Sequence, residues 1–211
     1  NLQAYQLQYF ENQFLKLLDP SKTYLLQDDV ATIKKDFSGI FSRLSSRNCD
    51  DIINAHKIYQ KRVTEVASYA KKVLGPDFKF DESTTLLLDP TKREYPKDKK
   101  TLEDFQSRYM QFQVSNYLVS DMKLPEAKHQ LLHRYELVEK NAKEIKKPDL
   151  FSLFLDAFAL SLDPHSNYLS KDVLEDFEIS MRLSLEGIGA TLSNQDGYTV
   201  VENLIPGGAA S

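Results

Sequence analysis

The sequence predicts a mainly α protein, in which an N-terminal helical bundle is followed by a short β segment. Apolar residues recur at spacings of three and four through most of the first 165 residues, which is typical of packed amphipathic helices. Five of the seven glycines fall between Gly187 and Gly208, where strand-forming residues replace the helical pattern. We therefore expect a helical domain over residues 1–165, a connecting turn and helix over 166–182, and a β segment over 183–211.

The first three predicted helices each carry an apolar stripe and end at a clear break. The first ends before Asp19-Pro20, because proline cannot continue a helix. The third runs from Asp50 or Asp51 to Leu74 and stops at a Gly-Pro pair. Between them a second helix is predicted from one stripe, which consists of Val30, Ile33, Phe37, Ile40, Phe41 and Leu44.

The helical pattern weakens from Asp77 to Lys100. Pro90 and Pro96 interrupt this segment, which ends in a run of charged residues. The sequence predicts an exposed, flexible excursion here, with a short extended piece at Leu86-Leu87-Leu88.

Helical periodicity returns in the second half of the chain. One stripe runs from Leu102 to Met122 and another from Leu131 to Ile145. A last bundle helix is predicted to begin with Asp149 as its N-cap. Core packing is predicted for the aromatic residues of the first of these stripes. They are Phe105, Tyr109 and Phe112.

A further short helix and two strands follow the bundle. Ser170 is the predicted N-cap of the helix, whose first turn is acidic. The strands are predicted at 190–193 and 198–203, with 194–197 as a hairpin turn. Because an isolated hairpin is marginally stable in water, we expect the sequence to stop inside a second domain.

The glycine loop before the first strand is the main candidate site. Glycine accepts left-handed backbone dihedrals and carries no Cβ, so Gly187 and Gly189 can turn backbone N–H groups outward. Such groups can hold a carboxylate. The strand that begins at Ala190 can then pair with an extended peptide that ends in that carboxylate.

Two motifs around this loop resemble those of the C-terminal processing peptidases, in particular the tail-specific protease branch. The first is Leu-Asp-Pro-His-Ser-Asn-Tyr-Leu-Ser at 162–170, and the second is Ser-Leu-Glu-Gly-Ile-Gly-Ala-Thr-Leu at 184–192. The spacing of the motifs and the strand that follows at 196–201 also match. The resemblance is specific over residues 150–211, and the preceding helices are similar in kind to the helical N-terminal domain of that branch.

The resemblance implies a periplasmic or envelope serine protease that recognises the apolar C-terminal tails of its substrates through a PDZ domain. Thr191 and Leu192 then lie in the strand that pairs with the peptide. In that family the nucleophilic serine and its lysine base lie downstream of the position of Ser211, so no catalytic residue is expected within this chain. The residues implied as the carboxylate-binding loop are Gly187, Ile188, Gly189 and Ala190.

Three interpretations of the function stay open at this stage. In the first, the chain is a non-catalytic part of the protease that recognises substrate tails or an adaptor protein. In the second, it is a stand-alone helical module for protein interaction, without protease activity. In the third, the chain cleaves peptides by itself. If an adaptor docks on the bundle, the bundle should have an exposed apolar groove. None of the three interpretations requires a cofactor.

Composition disfavours several other functions. The net charge of -4 leaves no basic footprint for nucleic acid. No apolar run approaches the roughly 20 residues of a transmembrane helix. The N terminus has no features of a secretion signal, so we expect that, if the protein is exported, its signal peptide has already been removed. Cys49 is the single cysteine, which excludes an internal disulfide. We expect it to be an inert residue in a loop or at a helix start.

Other candidate sites have weaker signals. His129 and His133 have the spacing of a zinc peptidase helix, but Gln130 replaces the general base and no third ligand is evident, so no metal site is expected. His165 is predicted to be a hydrogen-bonding residue of a turn. The Gly-Ile-Gly loop leads into a strand and lacks a third glycine, which disfavours phosphate binding there.

A serine nucleophile with a lysine base is a further alternative. Spacing alone leaves Ser166 or Ser184 with Lys171 open, because such pairs meet in space and not in sequence. The segments 18–25 and 162–169 also resemble one another, each with Leu-Asp-Pro followed by Tyr-Leu. This similarity is explained equally well by an internal duplication or by the common use of Asp-Pro as a helix breaker.

Overall fold

The computed structural model describes residues 2–181, 187–195 and 197–209, and the mainly α prediction is confirmed. The chain forms two compact units, Asn1–Tyr168 and Leu169–Ser211. The helices are α1 (Leu2–Leu18), α2 (Gln27–Phe37), α3 (Ile40–Ser45), α4 (Asp50–Val73), α5 (Lys99–Val119), α6 (Leu124–Glu144), α7 (Lys147–Leu162) and α8 (Lys171–Met181). A short 3₁₀ helix spans Pro90–Lys92, and the strands are β1 (Ala190–Gln195) and β2 (Tyr198–Leu204).

Two apolar clusters form the core of the first unit, and α4 contributes to both. The first cluster packs α1, α2, α3 and α7 around the N-terminal half of α4, with Phe10, Phe14 and Phe154 among its buried rings. The second packs α5 and α6 against the C-terminal half of α4. At 24 residues, α4 is long enough to join the two clusters into one bundle.

The second predicted helix is two helices in the structure. Ser38 and Gly39 separate α2 from α3, and Gly39 has a left-handed φ of 96°. The single apolar stripe did not reveal this break, because Phe37 and Ile40 are both fully buried on either side of it. Glycine permits the change of direction that keeps both residues in the core.

The aromatic stripe of α5 lies beside the core and not within it. Phe105, Tyr109 and Phe112 are half-buried and stack on one another, with successive ring centroids 5.7 and 6.2 Å apart. The prediction counted only apolar residues, whereas the buried face of α5 includes a hydrogen-bonded glutamine. That face consists of Leu102, Gln106, Met110 and Val114.

The predicted start of the last bundle helix needs correction, and the predicted excursion is described further by its contacts. The last bundle helix begins at Lys147, so Asp149 lies in its first turn and is not its N-cap, because Pro148 is compatible with a first turn. Leu86-Leu87-Leu88 forms no strand within the described residues. The excursion that contains it is held to the bundle, since the Gln27 N–H donates to the Pro96 carbonyl oxygen at 2.9 Å.

An ion pair joins α2 to α4 at the edge of the core. The Arg62 guanidinium donates to both carboxylate oxygens of Asp29, at 2.7 and 3.1 Å, and to Glu65 at 2.8 Å. The side chains of Arg62 and Asp29 are only 15% and 12% exposed. A bidentate ion pair that is so little exposed to solvent contributes more to the stability of the fold than a surface ion pair does.

Replacing Arg62 with alanine is therefore expected to lower the free energy of unfolding by about 2–3 kcal/mol, because Asp29 would stay largely buried without its cation. Arg108→Ala is the matched control. Arg108 pairs with Asp104 on the exposed side of α5, where the loss is expected to stay below about 0.5 kcal/mol. Urea unfolding followed by circular dichroism compares the two variants, and equal losses would contradict the prediction.

The second unit consists of α8 and the β1–β2 hairpin. The Val173 N–H lies 3.4 Å from the Ser170 hydroxyl oxygen, in keeping with the predicted N-cap. The strands are antiparallel, and Gln195 lies opposite Tyr198. Gly197 lies in the turn between the strands and has a left-handed φ of 85°, and its N–H donates to the Asn194 side chain at 3.1 Å. The predicted hairpin is thus present, with each strand slightly longer than expected.

Candidate functional site

The glycine loop packs closely on the end of its own hairpin. Gly189 has a left-handed φ of 75°, and its carbonyl oxygen accepts the Ile205 N–H at 2.8 Å. A Cβ at Gly189 would lie 2.7 Å from the Gly208 Cα, so no larger residue fits there without movement of the backbone. The loop therefore depends on glycine for both its dihedral angles and its packing.

Gly187 differs from Gly189 in both respects. A Cβ at Gly187 would meet no described atom within 4 Å, and its φ is not in the left-handed region. Ile188, between the two glycines, is 58% exposed. Of the two glycines in the predicted loop, Gly189 is thus the one that the geometry requires.

The strand behind the loop has one edge that is open within the described part of the chain. β1 pairs with β2 along its full length, and no other described strand lies beside it. Leu192 lies opposite Val201, and Ala190 lies opposite Leu204. The register shift between these two pairs inserts one extra residue in β2, which places all four residues on one face. Leu192, Val201 and Leu204 are each more than half exposed, so this face is largely apolar and accessible within the second unit.

The six residues predicted for tail binding are thus contiguous at one end of the hairpin. Gly187, Ile188 and Gly189 form the loop, and Ala190, Thr191 and Leu192 begin β1. The rest of the second motif, residues 184–186, lies outside the described residues. Ser184, one of the predicted nucleophile candidates, belongs to that segment.

In the first unit, the turn after α1 is organised by one buried carboxylate. Asp19 is 1% exposed and accepts the backbone N–H groups of Thr23, Tyr24 and Leu25 at 2.9–3.0 Å. Burial raises the pKa of Asp19, while these three N–H groups and the positive charge of Arg93 act in the opposite direction. Sequence reasoning treated Asp19 only as a helix breaker and missed this role.

The similar turn at 162–168 has a different structure. Asp163 is exposed, and its carboxylate accepts only the Ser166 hydroxyl, at 3.1 Å, among the contacts described for it. The Tyr168 N–H donates instead to Asp156 of α7, at 3.0 Å. The two segments therefore share sequence but not the buried hydrogen-bond pattern.

A cavity of about 270 Å³ borders the Asp19 turn. The Tyr135 hydroxyl lies 2.8 Å from Gln113 Oε1 and 3.2 Å from Gln106 Oε1, and Gln106 also donates to the Thr23 carbonyl oxygen. Burial, together with the Asp19 carboxylate, raises the pKa of Tyr59 to about 12. The polar groups of the cavity wall mainly form hydrogen bonds with one another. This favours a structural role for these residues over ligand binding.

The remaining candidates do not assemble into a catalytic or metal centre among the described residues. His129 and His133 lie on α6, and no group of three or more His, Cys, Asp or Glu side chains suited to a metal is found in this part of the chain. The Ser166 hydroxyl donates to Asp163 at 3.1 Å. Cys49 directly precedes α4 and packs against the first apolar cluster, in keeping with the inert role predicted for it.

The comparison with protein families identifies the helical unit. The family described as tail specific protease N-terminal domain matches residues 5–172. The chain belongs to this family. It is also similar to the tail-specific protease of Haemophilus influenzae, with 26% identity over 200 residues that cover 94% of this chain and 29% of the relative. The chain thus spans less than a third of the length of that relative.

Membership of the tail-specific protease N-terminal domain family confirms the resemblance seen in the sequence. It accounts for the helical unit, since the matched residues include most of α1 and all of α2 to α7. The matched range ends before β1, so the glycine loop lies outside it. No helix in the described part of the chain is long and apolar enough to cross a membrane.

Proposed function

We propose that this chain is the substrate-recognition region of a tail-specific serine endopeptidase that degrades or trims proteins from apolar C-termini. Family membership supports its place in such a protease. The observation that carries the recognition role is the edge of β1, directly after the left-handed Gly189, that no other strand of the described residues covers. The chemistry of cleavage belongs in this proposal to parts of the protease other than this chain.

In the proposed complex, a substrate tail adds to β1 as a further strand. Its main chain pairs with Ala190, Thr191 and Leu192, and its terminal carboxylate is held by N–H groups of the loop at Gly187–Gly189. The exposed side chains of Ile188 and Leu192 would contact apolar tail residues. Residues 183–211 would accordingly form the beginning of a PDZ-like domain.

The helical unit has a separate role in this proposal, which is to recognise an adaptor protein or the body of a substrate. Its surface is not uniformly polar, because Leu155 and Leu162 of α7 are 39% and 63% exposed. We place the protease in the periplasm or cell envelope, by its similarity to the tail-specific protease branch. Cell fractionation with an antibody against the helical unit tests this location.

The recognition role is tested with a fluorescent peptide that ends in apolar residues, added to the full-length protein. Anisotropy measures its binding as the free acid and as the C-terminal amide. Amidation removes the charge that the loop would hold, so we expect it to weaken binding at least about tenfold. Equal binding of the two peptides would rule out carboxylate recognition.

Photo-crosslinking from the last peptide residue locates the binding site. We expect the crosslinked fragment to contain residues 187–192. Crosslinks confined to the helical unit would instead support the interpretation of the chain as a helical interaction module, with no tail recognition by the hairpin.

A further inference from the structure

A second cavity in the helical unit is larger and has a different chemical character. It measures about 460 Å³ and lies between α1, α2 and the segment around residues 90–95. Three of its lining residues are lysines, Lys16 from α1, Lys22 from the following turn and Lys34 from α2. We call it the lysine cavity. Its volume is in the range of sites that take small organic ligands.

Two of the three lysines donate hydrogen bonds to neutral groups. The Lys22 ammonium donates to the Arg93 carbonyl oxygen at 2.6 Å, and the Lys34 ammonium donates to Asn12 Oδ1 at 2.9 Å. Among the ion pairs of the described residues, none involves Lys16, Lys22 or Lys34. Each ammonium has three donors, so every one of the three lysines retains donors for a ligand.

The acidic residues of the cavity offset only part of this charge. Asp19 lines it, and both of its oxygens accept backbone N–H groups of the turn, so they are not paired with the lysines. Glu94 is the other carboxylate in the lining and is exposed. The buried Glu11 is also within electrostatic range of Lys34 but does not line the cavity. The lining residues thus keep a formal charge of +1, in a chain whose net charge is -4.

Apolar residues form part of the cavity wall between the lysines. Leu15 and Val30 come from α1 and α2, Pro90 belongs to the 3₁₀ helix, and the Tyr95 ring lies 5.5 Å from the Lys22 ammonium. A ligand that matches both features needs a charged group for the ammonium ions and a compact apolar body or ring. A doubly charged phosphate uses three ammonium groups better than a singly charged carboxylate does.

We infer that the lysine cavity binds a small organic phosphate, with its phosphate group held by Lys16, Lys22 and Lys34. The organic part lies against Leu15, Val30 and Tyr95. This site is independent of the proposed binding of substrate tails, because all of its residues belong to the helical unit and none to the hairpin.

Calorimetric titration of the protein with phenyl phosphate, inorganic phosphate and benzoate tests the inference. Phenyl phosphate carries both the double charge and a ring, so we expect it to bind more tightly than either of the others. Benzoate that binds as tightly as phenyl phosphate would overturn the assignment to a doubly charged group. Absence of saturable binding of phenyl phosphate up to about 10 mM would overturn the site itself.

Two double variants separate the cavity from general surface charge. Lys16→Gln with Lys34→Gln is expected to weaken the binding of phenyl phosphate about tenfold, because two of the three ammonium groups are lost. Lys35→Gln with Lys57→Gln removes the same charge from exposed lysines outside the cavity and is expected to change affinity less than about twofold. Equal weakening by both pairs would overturn the site, provided that circular dichroism shows both variants folded.

Glu94, the exposed carboxylate of the lining, allows a test in which negative charge is removed instead of positive charge. Glu94→Gln removes the exposed negative charge, so it is expected to tighten the binding of phenyl phosphate about two- to threefold. Unchanged or weaker binding in this variant would contradict the electrostatic account of the site.

Discussion

Asp19→Ala is expected to lower the free energy of unfolding of the helical unit by about 3–5 kcal/mol, because three backbone N–H groups would lose a buried acceptor. The side chain is 1% exposed, so water cannot readily replace it. The effect reaches both halves of the core. The turn places Leu25 in the first apolar cluster and Leu26 in the second.

Asp163→Ala is the matched control for this prediction. Asp163 also follows an amphipathic helix and precedes proline, but it is exposed and accepts one serine hydroxyl. Its replacement is expected to change stability by less than about 0.5 kcal/mol. Urea unfolding monitored at 222 nm by circular dichroism measures both variants. A loss below about 1 kcal/mol for Asp19→Ala would show that the turn forms without its carboxylate.

The helices of the first unit were largely predictable because their signals are local. The third predicted helix, from Asp50 or Asp51 to Leu74, matches α4 almost residue for residue, since acidic residues begin it and a Gly-Pro pair follows it. The first predicted helix, which ends before Asp19-Pro20, likewise matches α1, whose Phe10 and Phe14 are buried in the core. Periodicity identifies helices of this length because apolar residues recur at the same spacing in each successive turn.

The errors arose where the decisive contact is distant in the sequence. Gln106 is buried because it reaches the Thr23 carbonyl oxygen, 83 positions away, and no local pattern on α5 indicates that. The excursion at 77–100 lacks helical periodicity, yet Arg93 fixes it by donating to the Ser21 carbonyl oxygen at 2.6 Å and stacking on Phe105. Lone charged residues in polar segments carry no sequence signal for such contacts.

In the candidate site, too, the local features were predicted and the contacts between distant residues were not. The glycine pattern and the Asp-Gly turn located the loop and the hairpin correctly, because both depend on the conformational preferences of individual residues. The contact between Gly189 and Gly208 could not be predicted, since it depends on where the chain returns after β2. The lysine cavity was also missed, because its three lysines come from separate elements.

Gly189→Ala is expected to disrupt the loop and abolish measurable binding of tail peptides. A Cβ there would lie 2.7 Å from the Gly208 Cα, and the φ of 75° is itself unfavourable for alanine. Together these effects are expected to cost the local structure about 2–4 kcal/mol, which corresponds to a loss of affinity of about thirtyfold or more. Peptide anisotropy on the full-length protein measures the loss.

Gly187→Ala separates this packing effect from a general loss of glycine. Gly187 has room for a Cβ and no left-handed dihedral, so this variant is expected to keep peptide affinity within about threefold. Hydrogen exchange at Ile205, whose N–H donates to the Gly189 carbonyl oxygen, reports on the loop directly. Exchange there should accelerate in Gly189→Ala and not in Gly187→Ala. Faster exchange without weaker peptide binding would show that the hairpin depends on Gly189 but that tails bind elsewhere.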